Sequence, residues 1–247
     1  MVTAGAFFAD AAALPLAPLE RIIGDRGIVV VAPHPDDETL GCGGLIALAH
    51  ADGRPVKIIV LTDGCGSHPN SRTHPPRKLR ALREQETLSA IAALGLDATA
   101  VSFLRLPDRA LPSEGAEADS AARDIVAAVE KTRASAILTT WRHDPHSDHQ
   151  AAWRIALTAR QSLTDELALI AYPIWGSTLP PQTQLPANPR GWRLPIDGVL
   201  PRKERAIRAH CSQISRLVES DPPELVLTEA TLNRFRVPYE IYLEAEN

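Results

Sequence analysis

Two short segments of this 247-residue chain hold residues whose types and spacing could do chemistry. The first is Pro33-His34-Pro35-Asp36-Asp37-Glu38, one imidazole and three carboxylates in five residues. Zinc accepts imidazole nitrogen and carboxylate oxygen, and a catalytic zinc site uses three protein ligands and keeps a position for water. A carboxylate left off the metal could take a proton from that water. Helix capping is the plainer reading, because Asp at a helix N-terminus satisfies free amides and complements the dipole. Capping accounts for one or two of the acids. It does not account for three beside a histidine flanked by prolines.

The second segment is Trp141-Arg142-His143-Asp144-Pro145-His146-Ser147-Asp148-His149-Gln150. Three of the chain's eight histidines fall here within seven residues. A polar surface loop rich in His and Asp would look the same in isolation. Ser147 followed by Gln150 has the spacing of a capping box, which starts a helix at Ser147 and sets His149 in its first turn.

Both segments follow apolar runs that read as strands. Residues 27–32 (GIVVVA) and 55–62 (PVKIIVLT) come first, then 99–104 and 135–140 (SAILTT). Helical patterns at 39–51, 79–94 and 119–132 alternate with them, and this alternation predicts an α/β, Rossmann-like three-layer fold with a mainly parallel sheet. In such a sheet ligands bind at the carboxyl edge of the strands, and both segments start there. Later elements are a strand at 167–172, a helix at 203–218 and a strand at 238–243. The length fits one domain over 1–247, with the Pro-rich, Trp-bearing stretch 173–201 as an inserted loop or hairpin.

Composition narrows the class. Apolar residues are 45% and charged residues 23%, as in a soluble globular enzyme. A net charge of −4 offers no broad electrostatic footprint for nucleic acid. Three cysteines without a CxxC pair point to a reducing compartment. The N-terminal apolar stretch has no basic residue before Arg21 and contains Asp10, Pro15 and Pro18, so it fits neither a signal peptide nor a membrane span. A cytoplasmic location is expected.

Taken together, the motifs resemble the PIG-L/LmbE family of zinc-dependent N-deacetylases, whose hallmarks are A-H-P-D-D-E after the first strand and H-x-D-H after a later one. This chain has APHPDDE, with Pro33 inserted, and His146-Ser147-Asp148-His149. Weaker matches are Thr62-Asp63-Gly64, Arg83…Glu86, Leu106-Pro107-Asp108 and His210-x-Ser212-Gln213. The resemblance implies His34, Asp37 and His149 as ligands of one Zn²⁺, with Fe²⁺ also suited to such donors. It implies Asp36 as general base, His146 as the group that stabilises the oxyanion or protonates the leaving amine, and Asp148 as orienting a histidine. Arg83 and Asp108 match sugar-contacting positions. From the residues alone, an exposed helix salt bridge to Glu86 is the favoured reading of Arg83, and Asp108 reads equally as a turn residue after Pro107. The implied reaction removes an acetyl or other acyl group from the nitrogen of a small-molecule amino sugar. Some relatives carry an aromatic hydroxyl just before H-x-D-H; here Arg142, His143, Asp144 and Pro145 stand in that stretch.

Two rival classes compete with this reading. A dinucleotide-binding reading of Gly41-Cys42-Gly43-Gly44 fails, because the sixth position is Ile46 and acidic residues separate the glycines from the strand. A metal-dependent carbohydrate-binding protein would have no use for Asp36. A zinc amidase acting on a non-sugar conjugate remains the alternative within the same chemistry.

Overall fold

The structure is a computed structural model and describes residues 1–163, 167–219 and 226–245. Nine strands are described: β1 (Val2–Thr3), β2 (Gly27–Ala32), β3 (Val56–Thr62), β4 (Val101–Leu106), β5 (Ala134–Thr140), β6 (Ala168–Tyr172), β7 (Gln184–Leu185), β8 (Gly191–Pro195) and β9 (Tyr239–Glu244). The α-helices are α1 (Ala4–Ala11), α2 (Leu19–Ile23), α3 (Asp37–Ala51), α4 (Pro76–Leu94), α5 (Ala116–Thr132), α6 (Ser147–Gln161), α7 (Leu200–Ala209), α8 (Cys211–Ile214) and α9 (Glu229–Leu232).

Seven strands form one sheet in the order β4-β3-β2-β5-β6-β9-β8. Pairings from β4 through β6 are parallel, and those of β9 with β6 and β8 are antiparallel. Strand β2 is buried along its whole length, as a strand covered by helices on both faces must be. Ile28 and Val30 pack with α3 and α4 on one face, while Val29 and Val31 pack with α5 and α6 on the other. The mainly parallel three-layer α/β fold expected from the alternation is the one observed.

This order sets the site. From β2 the chain winds outward through β3 to β4, then returns to β5 on the other flank of β2. The strand order therefore reverses between β2 and β5, and the crevice at such a switch is where open α/β sheets bind ligands. Both chemical segments leave the sheet there, one from β2 into α3 and the other from β5 into α6.

Three details differ from the sequence expectations. The helix expected over 203–218 is interrupted at His210, giving α7 and the short α8. His210 turns inward instead, with Nε2 3.1 Å from Thr39 Oγ1, and Ser212 is captured by Glu86. The segment 173–201 carries β7, which pairs with β1, and β8, which pairs with β9 at the edge of the main sheet. The cap of α6 is the His146 side chain, which accepts the Asp148 amide; Gln150 Nε2 donates to the Asp144 carbonyl and makes no box with Ser147. The helix nevertheless begins at Ser147.

The Gly41–Gly44 run lies inside α3, away from the strand–helix turn that a pyrophosphate would need. A Cβ at Gly44 would meet Ile196 at 2.5 Å, and one at Gly41 would overlap the Tyr172 ring. These glycines serve close packing. Among the described residues no helix is long and apolar enough to cross a membrane.

Candidate metal centre and active site

His34 is held by the turn after β2. Its backbone amide donates to Asp37 Oδ2 at 2.9 Å, and the Thr62 amide ties the preceding Pro33 carbonyl to β3. Asp37 opens α3 and His149 lies in the first turn of α6. Their donor atoms form a triangle: His34 Nδ1 to Asp37 Oδ2 is 3.1 Å, His149 Nε2 to Asp37 Oδ2 3.4 Å, and His149 Nε2 to His34 Nδ1 3.3 Å. A tetrahedral zinc with bonds of about 2.0–2.1 Å sets its ligand atoms about 3.3–3.4 Å apart. The triangle therefore fits such an ion in its edge lengths as well as in its donor types. All three side chains are buried. A second candidate group, His34, His146 and Asp148, shares His34.

Each of the two triangle histidines has carboxylates on its other ring nitrogen. His34 Nε2 lies 3.1 Å from Asp148 Oδ2 and 3.3 Å from Asp108 Oδ1. His149 Nδ1 lies 3.2 Å from Asp144 Oδ1, an ion-pair contact whose N–H is not well aligned for a hydrogen bond. Carboxylates in these places fix which nitrogen is left to the metal. The Asp148 oxygens also accept the amides of Arg109 and Leu111.

Asp36 stands outside the triangle. Its backbone amide is held by Glu38 Oε2, and its Oδ1 lies 3.3 Å from Arg83 Nη2. Burial pushes its carboxyl up; Arg83 holds it back, and it sits at about 7. Arg83 makes no pair with Glu86. It is buried, and donates to the carbonyls of Gly64 and Pro35, which fastens the loops after β3 and β2 to α4. Asp108 Oδ2 accepts the Gly66 amide at 2.7 Å and stands 4.0 Å from Arg83 Nη1. Burial, against hydrogen bonding from His34 and the charges of His34 and Arg83, leaves its carboxyl at about 2.

The imidazoles differ in state. Burial alone would lower His34 and His149, but hydrogen bonds to Asp108, Asp148 and Asp37 carry His34 well above its usual value. The Asp37 and Asp144 carboxylates likewise carry His149 to about 9. Burial and the charges of His34 and His149 lower His146. Its Nδ1 accepts the Asp148 amide, so in the neutral ring the proton is on Nε2.

A cavity of about 340 Å³ opens over His34, Asp36, Asp37 and His146. Arg83 and Asp108 lie in its wall, with Ser67, Arg109, Trp175, Gln213, Leu227 and Thr231. All eight site residues expected from the sequence are thereby brought together. Three contributors had drawn no role from the sequence: Asp144, Trp175 and Glu38. Asp144 stands within the His/Asp-rich segment, and that spacing was its only signal. Among the described residues of this wall the aromatic hydroxyl of some relatives has no counterpart; the nearby Tyr172 hydroxyl is buried and donates to the Val31 carbonyl.

Comparison with known proteins bears on the family. A probable N-acetyl-α-D-glucosaminyl L-malate deacetylase 2 of Bacillus cereus is 30% identical over 145 residues, 58% of this chain and 64% of the relative, so the match spans just under two thirds of that protein. A 1D-myo-inositol 2-acetamido-2-deoxy-α-D-glucopyranoside deacetylase of Rhodococcus opacus is 28% identical, covering 77% of this chain and 82% of the relative. The crystal structure of a conserved protein of Thermus thermophilus superposes with a TM-score of 0.62 at 26% identity, over 90% of this chain and 96% of that one. The sequence profile of PIG-L, GlcNAc-PI de-N-acetylase, matches residues 29–160, more than half of the chain and a span that includes both histidine-bearing segments. The chain belongs to the PIG-L family of de-N-acetylases.

Proposed function

We propose that this protein is a zinc-dependent hydrolase that removes the acetyl group from the nitrogen of an N-acetylglucosamine conjugate. The observation that carries the reading is a triangle of donor atoms with tetrahedral edges, with the Asp36 carboxylate outside it and paired with Arg83. The family and the sugar-deacetylase names of both curated relatives support the substrate class.

His34 Nδ1, Asp37 and His149 Nε2 would hold the ion. When bound there, it supplies Lewis-acid polarisation of the amide carbonyl and acidifies water. Asp36 takes the proton of the attacking water as the new C–O bond forms, then passes a proton to the nitrogen as the C–N bond breaks. Acetate and the free amine are the products. A carboxylate with a pKa near the working pH suits both transfers, and Arg83 keeps it aimed. The Nε2–H of His146, fixed by the contact at Nδ1, donates to the oxygen on which negative charge develops. Asp108 and Arg83 would meet sugar hydroxyls in the cavity wall.

A panel assay tests the reading. Zinc-loaded protein should release amine from N-acetylglucosamine glycosides and leave N-acetyl amino acids untouched. Hydrolysis of the amino acids alone would shift the assignment to a non-sugar amidase.

A further inference from the structure

Asp144 is fully buried and makes four contacts, two on each oxygen. Oδ1 lies 3.2 Å from His149 Nδ1 and accepts the His146 amide at 3.2 Å. Oδ2 accepts the Trp175 amide at 2.7 Å and the Ile174 amide at 3.3 Å. All four partners present N–H groups. Only a carboxylate has acceptor lone pairs on both arms; an asparagine amide has one oxygen and would turn a donor toward donors on the other side.

The two arms serve different parts of the site. One faces a residue of the metal triangle. The other holds the chain where it leaves β6, at the point where Trp175 enters the wall of the cavity. A carboxylate is one rigid planar body, so a displacement of one oxygen is passed to the other. Trp175 is half-buried in that wall and offers an apolar aromatic face, the kind of surface against which the C–H face of a pyranose packs.

We infer that Asp144 is a positioning residue that couples occupation of the metal centre to the order of the Ile174–Trp175 wall of the substrate cavity. The inference rests on the reading that His149 Nε2 holds the ion. The His149 ring contacts Asp37 and His34 in the triangle, the His146 ring and Asp144 Oδ1. With metal, its ring is fixed and Asp144 Oδ1 is fixed with it, so Oδ2 presents a settled acceptor pair to the amides of Ile174 and Trp175. A mere loop staple would bind those amides equally well with or without metal.

Amide hydrogen exchange on the full chain, metal-free and zinc-loaded, separates the two. Zinc should slow exchange at Ile174 and Trp175 by about tenfold or more. Asp144→Asn should weaken zinc binding by about 10–100-fold, the range for a carboxylate behind a metal histidine. It should also remove the zinc effect on those two amides when the variant is saturated with metal. Trp175→Phe keeps the backbone contacts and should bind zinc as the parent does, while raising KM for the sugar conjugate more than it lowers kcat. Equal exchange rates with and without zinc in the parent would overturn the inference, and so would an Asp144→Asn variant with unchanged zinc affinity. If that variant does not fold, the comparison within the parent decides alone. None of the exchange or zinc-binding readouts depends on turnover, so absence of deacetylase activity would count against the proposed reaction and leave this test intact.

Discussion

Zinc binding should expel protons, and the structure fixes roughly how many. Metal ligation requires a ring nitrogen without its proton. His149, with a pKa of about 9, is almost fully protonated at pH 7 in the metal-free chain, and His34 is raised as well. Each must give up one proton when the ion enters, while Asp37, lowered by His149 and His34 against its burial, has none to give. Asp36, at about 7, is half protonated and adds a fraction when a cation arrives beside it. At least about two protons per zinc are therefore expected at pH 7. Affinity should then rise about 100-fold per pH unit between pH 6 and 8, and chelators should strip the metal more easily in acid. The assay is calorimetric titration of metal-free protein in two buffers of different ionisation enthalpy, which yields the proton count directly. Release of less than one proton per zinc would mean that the two imidazoles do not both enter the binding reaction protonated, and would refute this count.

Three further outcomes follow from the same geometry. Asp36→Asn should keep zinc and lose turnover by about 10²–10⁴-fold, as for a lost general base, whereas Asp37→Asn should lose zinc affinity and recover partly in excess metal; metal analysis beside steady-state rates checks both. His146→Ala should retain zinc and lower kcat by about 10²–10³-fold, the loss typical of one oxyanion donor; loss of metal instead would make His146 a ligand. Arg83→Met should move the acid limb of the pH–rate profile to higher pH, because burial raises the Asp36 carboxyl and Arg83 is what holds it back. A limb that stays in place would remove Arg83 from that role.

Much of the site was legible because it is local. His34 to Glu38 and His146 to His149 are each continuous, and both follow apolar strands whose edges the β-propensity pattern marks well. Strand β2 begins and ends where GIVVVA does. What was not legible depends on contacts between distant segments. Residues 203–218 have a helical pattern throughout, but the break at His210 comes from Thr39, 171 positions away. Arg83 and Glu86 have the spacing of a helix pair, yet each is taken by a partner from another element, Asp36 and Ser212. Strand β8 hides in a Pro-rich stretch because its partner, β9, lies 44 to 52 positions on. Asp144 carried no signal of its double role, since one of its two arms serves Ile174 and Trp175, some 30 positions on.

The central claim is that the His34–Asp37–His149 triangle holds a metal ion needed to hydrolyse the acetamide of an amino sugar. It is tested most directly by following acetate release from an N-acetylglucosamine glycoside with chelated protein, then with the same sample given one equivalent of zinc, using Asp36→Asn as the blank. No release from the chelated sample, full recovery at one zinc per chain and no recovery in the blank are expected. Equal acetate release before and after chelation would contradict it.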